Sequence, residues 1–240
     1  MNKRQKLKGD ELVANASLDR EEVIRAIVRN QPNFVVRLYS RIRFQILRQR
    51  FLDEIGQYLP KHGDILDFGC GFGLFALYYS MTGSGRRING VDLNADRIAM
   101  AKRCALSLSV TNAHFETCNA LEWEGGGSFD AIYMLDLIHH LREAEVPKFL
   151  TGIRDLLRPG GRLILKDVSD RPHYKRLFTL VLDRLMVGFR ESIRYWPPNE
   201  LVALLECLGF DVKQHAMNDY LPYPHVLYVC TRIDGAKPDG

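Results

Sequence analysis

Ile65-Leu66-Asp67-Phe68-Gly69-Cys70-Gly71-Phe72-Gly73 runs from apolar residues into three glycines spaced by two, and Leu74-Phe75-Ala76-Leu77-Tyr78-Tyr79 follows without a break. The order reads as strand, tight turn, helix. Glycine lets a backbone turn with positive φ and lets a ligand approach without a Cβ in the way. A carboxylate at the strand end and the amides of a helix N-terminus give that ligand polar partners.

Toward the C-terminus, Gly83-Ser84-Gly85 breaks the helix and Arg87-Ile88-Asn89-Gly90-Val91-Asp92-Leu93 reads as a short strand ending on an acid. Asp92 lies about 20 residues past the glycines, the separation at which a second-strand carboxylate reaches a ribose diol. Two carboxylate oxygens are matched acceptors for vicinal hydroxyls. The competing reading makes Asp92 the N-cap of a helix starting near Ala95. That helix runs from Asp96 to Leu108, a strand covers Ala113–Glu116, and Cys118-Asn119-Ala120 places a small polar residue where an adenine amine would be met. Gly125-Gly126-Gly127 is a loop, Phe129–Leu135 a fourth strand, Glu143–Leu157 a helix. Arg158-Pro159-Gly160-Gly161 is a sharp turn into a fifth strand, Arg162–Asp167. Such alternation predicts a parallel sheet covered on both faces.

The tail is different. Pro172–Phe189 is an apolar segment of helical length, Pro197-Pro198-Asn199-Glu200 opens a helix that Gly209 stops, and Phe210–Ala216 and His225–Thr231 alternate as two strands of a hairpin around the turn-rich Asn218–Pro224. On the N-terminal side, residues 1–17 read as a mobile tail. Ser17 followed by Glu21 and Glu22 marks a helix start, and Pro32 either ends that helix or opens the next. From Phe34 to Leu59 apolar residues recur at helical spacing, with Arg37, Arg41, Arg43, Arg48 and Arg50 between them. That segment is either an amphipathic helix with a solvated basic face or a lid whose arginines meet an anionic substrate, a carrier protein or a membrane surface. The division expected is a tail at 1–17, a helical lid or flank at 18–60 and a main domain at 61–234, with 172–209 as helices covering the substrate.

The 240 residues, 46% of them hydrophobic, support one large α/β domain with appendages. A net charge of +4 is mild for a duplex-binding protein. The five cysteines are scattered with no CxxC pair, which argues against a disulfide framework and a zinc site and fits a reducing cytoplasm. The basic N-terminus precedes no apolar signal region, and no apolar run has the length of a membrane span. A cytoplasmic location is expected.

From Asp64 to Arg232 the chain resembles class I S-adenosylmethionine (SAM) methyltransferases. Ile65–Gly73 is similar to the family's first motif, with Asp67 in its acidic slot; Asp92 matches the ribose acid. Asn119-Ala120 resembles the adenine-contacting pair, with Asn where most members carry Asp. Leu135 sits where a main-chain carbonyl faces the methionine amine, and Leu156–Leu165 resembles the LRPGG-plus-strand signature. The resemblance implies a Rossmann-like, seven-stranded, mostly parallel sheet with an antiparallel C-terminal hairpin, plus N-terminal helices. It implies SAM as cofactor, held by Asp67, Gly69, Cys70, Gly71, Phe72, Gly73, Asp92, Leu93, Asn119, Ala120 and Leu135.

Methyl transfer from a sulfonium needs the acceptor held in line, water excluded and sometimes a proton removed. Asp136, His139 and His140 stand at the end of the fourth strand. The expectation is that His139 deprotonates or orients the acceptor while His140 is packed; the alternative is that both pad the following helix. Asp136-x-x-His139-His140 also resembles the Glu-x-x-Glu-His of ubiquinone-pathway O-methyltransferases, which place a divalent metal near a catechol, although adjacent histidines rarely converge on one ion. Whether a metal belongs here stays open. Lys166-Asp167 either lines the substrate side or is a surface ion pair. Aromatic and aliphatic stretches at 172–189, 195–198 and 220–225 suit a small lipophilic or aromatic acceptor, with O-methylation favoured over C- or N-methylation; the competing reading of 172–189 is a segment that simply covers the sheet. A carrier-tethered substrate and peripheral membrane contact are further options. Three other functions compete: an RNA methyltransferase, disfavoured by the modest charge; a nicotinamide oxidoreductase, whose fingerprint is G-x-G-x-x-G where this turn reads Gly69-x-Gly71-x-Gly73; and a catalytically silent SAM-binding protein.

Overall fold

The computed structural model describes residues 19–47, 49–119, 128–168, 196–217 and 225–233. The expected tail, the Gly125–Gly127 loop, the apolar 172–189 segment, Tyr195, the 218–224 turn and Ala120 lie outside them.

Seven strands form one sheet: β1 (Gly63–Phe68), β2 (Arg86–Asp92), β3 (Ala113–Thr117), β4 (Phe129–Leu135), β5 (Leu157–Val168), β6 (Phe210–Ala216) and β7 (His225–Arg232). Their order is β3-β2-β1-β4-β5-β7-β6. The β1–β2, β1–β4, β2–β3 and β4–β5 pairs are parallel, whereas β7 runs antiparallel between β5 and β6. This is the sheet that the resemblance implies, C-terminal hairpin included.

Successive strand residues face opposite sides, and the core divides accordingly. Ile65, Ile88, Tyr133 and Ile164 join one cluster with residues of helices α1 (Arg20–Arg29), α2 (Phe34–Ile46), α3 (Gln49–Gly56), α4 (Leu74–Met81) and α5 (Ala95–Ser107). Leu66, Ile132, Leu163 and Tyr228 join another, beneath α6 (Val146–Leu156) and α7 (Pro198–Cys207). Near-continuous apolar strands are what burial on both faces demands.

Four local expectations shift. The N-cap of α1 is Asp19, whose carboxylate accepts from the Glu21 amide, rather than Ser17. The 34–59 periodicity is two helices, and the first stops at Leu47. Neither Gly nor Pro marks that break; tertiary packing makes it. α2 rests on the glycine turn and α4 through Tyr39–Phe72 and Phe44–Phe75 ring contacts. α3 accepts from the Tyr79 hydroxyl at the Leu52 carbonyl and from Arg86 at the Gly56 carbonyl. Arg158–Gly161 is a bulge inside β5: Leu157 pairs with Phe129 and Arg162 with Ala131, so the intervening residues loop out, with Gly160 at φ 69°. Before α6 the chain makes two short 3₁₀ turns, Ile138–His140 and Glu143–Glu145, so the helix starts later than its periodicity suggests.

Candidate active site

Strand order reverses between β1 and β4, and in doubly wound sheets ligands bind in the crevice at that switch point, outside the carboxyl ends of the strands. The glycine turn leaves β1 on one side of it, and Asp136–His140 leaves β4 on the other.

Gly69, Gly71 and Gly73 have φ of 81°, 55° and 72°, values that cost an L side chain about 1–2 kcal/mol. The Gly69 and Cys70 amides donate to the Val91 carbonyl at 2.8 and 2.9 Å, which ties the turn to β2. The glycines differ in surroundings. A Cβ on Gly73 would lie 2.7 Å from the Phe115 ring, and one on Gly69 would lie 3.3 Å from Leu137; at Gly71 nothing stands within 4 Å. Gly73 is small for packing, and Gly71 faces open space.

The Gly71 amide donates to Asp92 Oδ2 at 2.9 Å, and Oδ1 of the same carboxylate accepts from the Asn94 amide at 2.9 Å. The helix cap proposed for Asp92 belongs to Asn94, which accepts from Asp96 and Arg97. Asp92 is therefore held by two backbone amides, with lone pairs left for a diol. Beside it Leu93 is 71% exposed, an apolar platform at the lip of the crevice. Asn119 is half-buried at the end of β3. Phe72 sits between the Tyr39 ring and the Arg97 guanidinium, while Cys70 is buried, so its thiol is kept protonated.

Asp67 lies under the turn. Burial pushes its carboxyl up to about 7; the Tyr133 hydroxyl pulls the other way, and the Asp92 charge adds to the rise. Tyr133 is close enough to be felt, yet neither Asp67 Oδ2 nor the Tyr133 hydroxyl completes a hydrogen bond among the described residues. A free acidic oxygen, a glycine facing open space, a carboxylate with spare lone pairs and an exposed apolar side chain fit a ligand with an ammonium group, a ribose and a flat base. These residues would hold SAM.

Across the crevice, Asp136 adopts φ 61°, which aims its carboxylate at Lys166 and, at 2.6 Å, at Arg43 of α2. Burial alone would raise the Asp136 pKa; Lys166 and Arg43 outweigh it and hold the carboxyl well below the ordinary range. Asp136 is thus an anchor for two cations, Lys166 and Arg43, and its lowered pKa makes it a weak proton acceptor. Lys166 and Asp167 are both buried, so they are no surface pair. Nor do they line up as partners: Lys166 meets Asp136, and Asp167 meets His139.

His139 is 2% exposed. Its amide donates to Asp167 Oδ2 at 3.1 Å and its Nδ1 meets Asp167 Oδ1. A carboxylate only accepts, so Nδ1 carries the proton. His140 is half-buried, its ring 4.2 Å from that of His139. Burial runs opposite to expectation: His139 is the packed ring and His140 the accessible one. Among the described residues no three His, Cys, Asp or Glu side chains gather as a metal site, since Asp136 is committed to cations and His139 Nδ1 to Asp167. Leu135 is half-buried at the end of β4, and Trp196 packs on the cluster that holds Leu137, Ile138 and Leu141 together with α6 and α7.

Arg43, Phe51 and His225 enter this cluster without a distinctive motif. Phe51 packs against Lys166 and His225. Arg43 was visible only as one of a row of arginines.

Residues 39–215 match the family described as Methyltransferase domain. Among curated relatives, the chain is 31% identical over 170 residues to the "Probable methyltransferase ltbC" of Aspergillus luteorubrus, covering 64% of this chain and 59% of that protein. It is 28% identical over 189 residues to the ubiquinone biosynthesis O-methyltransferase of Nitrosospira multiformis, covering 75% of each. The fold superposes on the magnesium protoporphyrin IX methyltransferase of Synechocystis, solved with bound SAH, with a TM-score of 0.62 at 18% identity over 90% of this chain and 95% of that one. Among the described residues no helix is long and apolar enough to cross a membrane.

Proposed function

The chain belongs to the methyltransferase-domain family, and on that footing we propose that it methylates an oxygen of a small lipophilic or aromatic acceptor. SAM is the methyl donor. The observation that carries the oxygen reading is the buried Asp167–His139 pair backing the more exposed His140 ring at the carboxyl end of β4, opposite the glycine turn. The curated relatives named ubiquinone biosynthesis O-methyltransferase, such as that of Nitrosospira multiformis, support an acceptor of this class.

When bound, SAM would supply an electrophilic methyl on a sulfonium, whose thioether leaving group needs no acid to depart. The chain's residues do the rest. The Gly69–Gly73 turn and Asp92 would hold the nucleoside, and the buried Asp67 carboxyl would complement the cationic end. Asp167 fixes His139, which packs against His140. With SAM bound, His140 would take the hydroxyl proton as the acceptor oxygen gains the methyl and the thioether is released. A histidine titrates near neutral pH, which suits a phenol or enol acceptor.

The test is methyl transfer to a set of alkyl-substituted phenols and catechols, read as methyl ether by mass spectrometry. Wild type should form the ether. His140→Gln should lose about 10²–10⁴-fold in kcat while keeping SAM affinity. A variant with undiminished kcat overturns the role of His140, and products methylated only at carbon or nitrogen overturn the oxygen reading.

A further inference from the structure

Four of the seven exposed large hydrophobic side chains in the described residues lie on α2: Phe34 at 71%, Val35 at 74%, Leu38 at 46% and Ile42 at 47%. Phe34, Leu38 and Ile42 follow i, i+4, i+8 and so form a single ridge. Exposed Arg37 and Arg41 run along its flank. The helix FVVRLYSRIRFQI contains no acidic residue. Its opposite face is fully used: Val36, Ser40 and Phe44 are buried, and Tyr39 and Arg43 reach the site. A helix whose inner face is packed has no need of an outer apolar ridge for folding, and scattered single exposures would not line up this way.

We propose that the outer face of α2 seats the enzyme on an anionic lipid surface, the ridge entering the headgroup layer and Arg37 and Arg41 meeting phosphates. An apolar ridge bordered by arginine is the pattern of interfacial helices. Charge complementarity favours lipid over a second copy of this chain, because two copies of the same face would bring arginine against arginine. α2 also touches the glycine turn and Asp136, so the face that meets the lipid belongs to the element that roofs the crevice. A lipophilic acceptor would then pass from the bilayer to the site without crossing water. This last step rests on the acceptor class proposed above; the lipid contact itself does not.

Co-sedimentation of the full chain with phosphatidylcholine vesicles, with and without phosphatidylglycerol, tests it. Wild type should bind the anionic vesicles, and less so as salt is raised. Arg37→Gln with Arg41→Gln should weaken binding roughly 30-fold, from about 1 kcal/mol per basic residue near such a surface. Leu38→Asp should weaken it at least about tenfold. SAM titration and melting temperature should be unchanged in both variants, because none of these residues touches the cofactor cradle. No binding, equal binding to both vesicle types, or full binding by both variants overturns the proposal. A wild-type dimer that Leu38→Asp makes monomeric also overturns it, assigning the ridge to self-association. Loss of SAM binding in wild type would instead overturn the methyltransferase reading and leave the vesicle result standing.

Discussion

Two glycines two residues apart do different work, and substitution separates them. Gly73→Ala forces a Cβ into the Phe115 ring and Ala101 at positive φ, so it should cost at least about 2 kcal/mol of stability. Gly71→Ala meets no protein atom; it should cost about 1 kcal/mol yet abolish SAM binding. Chemical denaturation and calorimetry on the two variants check this, and loss of binding with both folds intact would contradict the packing role of Gly73. Asp67 gives a pH signature. Its folded pKa of about 7 lies above the 3.8 of a free carboxyl, so between those values the native state holds a proton that the unfolded chain has released. The stabilisation is fully present below the lower value and is lost as pH rises through the upper one. Urea midpoints should therefore fall from pH 5 to 8 more steeply for wild type than for Asp67→Asn. SAM carries net positive charge and favours the ionised carboxyl, so its affinity should rise over pH 6–8 and flatten in the same variant. The glycine turn and the strand-end positions of Asp67 and Asp92 were legible because turn chemistry is local. The contacts and burial of Asp136, His139 and His140 were not. Their partners Arg43, Lys166 and Asp167 lie 28 to 93 residues away in sequence, and burial order within a two-residue His-His pair has no periodic signal.

At the level of elements, the ion cluster Arg43–Asp136–Lys166 joins α2 to the ends of β4 and β5. Lys166 is buried outright, and desolvation lowers its pKa against the pull of Asp136. Removing one partner of a buried pair leaves the other charge uncompensated, at about 3–5 kcal/mol. Asp136→Asn should approach that loss in denaturant unfolding, and Asp136→Asn with Lys166→Met should recover part of it. An Asp136→Asn protein as stable as wild type would show that the cluster does not hold α2. The strands and the C-terminal hairpin were readable from alternation and turn residues, because β1, β4 and β5 are apolar runs buried on both faces and β6 and β7 alternate; the order β3-β2-β1-β4-β5-β7-β6 was not, since crossovers leave no local signal. The split of 34–59 into two helices was not: its cause is where α2 and α3 each find packing partners, and Gln45–Arg50 carries no breaker.

For the whole molecule, the sheet brings the glycine turn, Asp92 and the β4–β5 polar cluster to one edge at the switch point, while both faces are closed by helices. A ligand that binds only this native arrangement stabilises it by about 2.7 kcal/mol at one hundred times its Kd. For a chain of this size that is a melting shift of about 5–10 °C. SAM and S-adenosylhomocysteine should both produce it, and NADH should not. The turn spacing separates these ligands: Gly71 and Gly73 stand two apart, and Asp92 already braces Gly71.

Calorimetric titration of SAM into the full chain, with Asp92→Ala alongside, goes to the centre of the account. Losing the charged acceptor for the ribose and for the Gly71 amide should weaken SAM roughly 10- to 100-fold, about 1.5–3 kcal/mol. Wild type should bind clearly, and a still-folded Asp92→Ala should show that loss. A folded wild type that ignores SAM and binds NADH would contradict it.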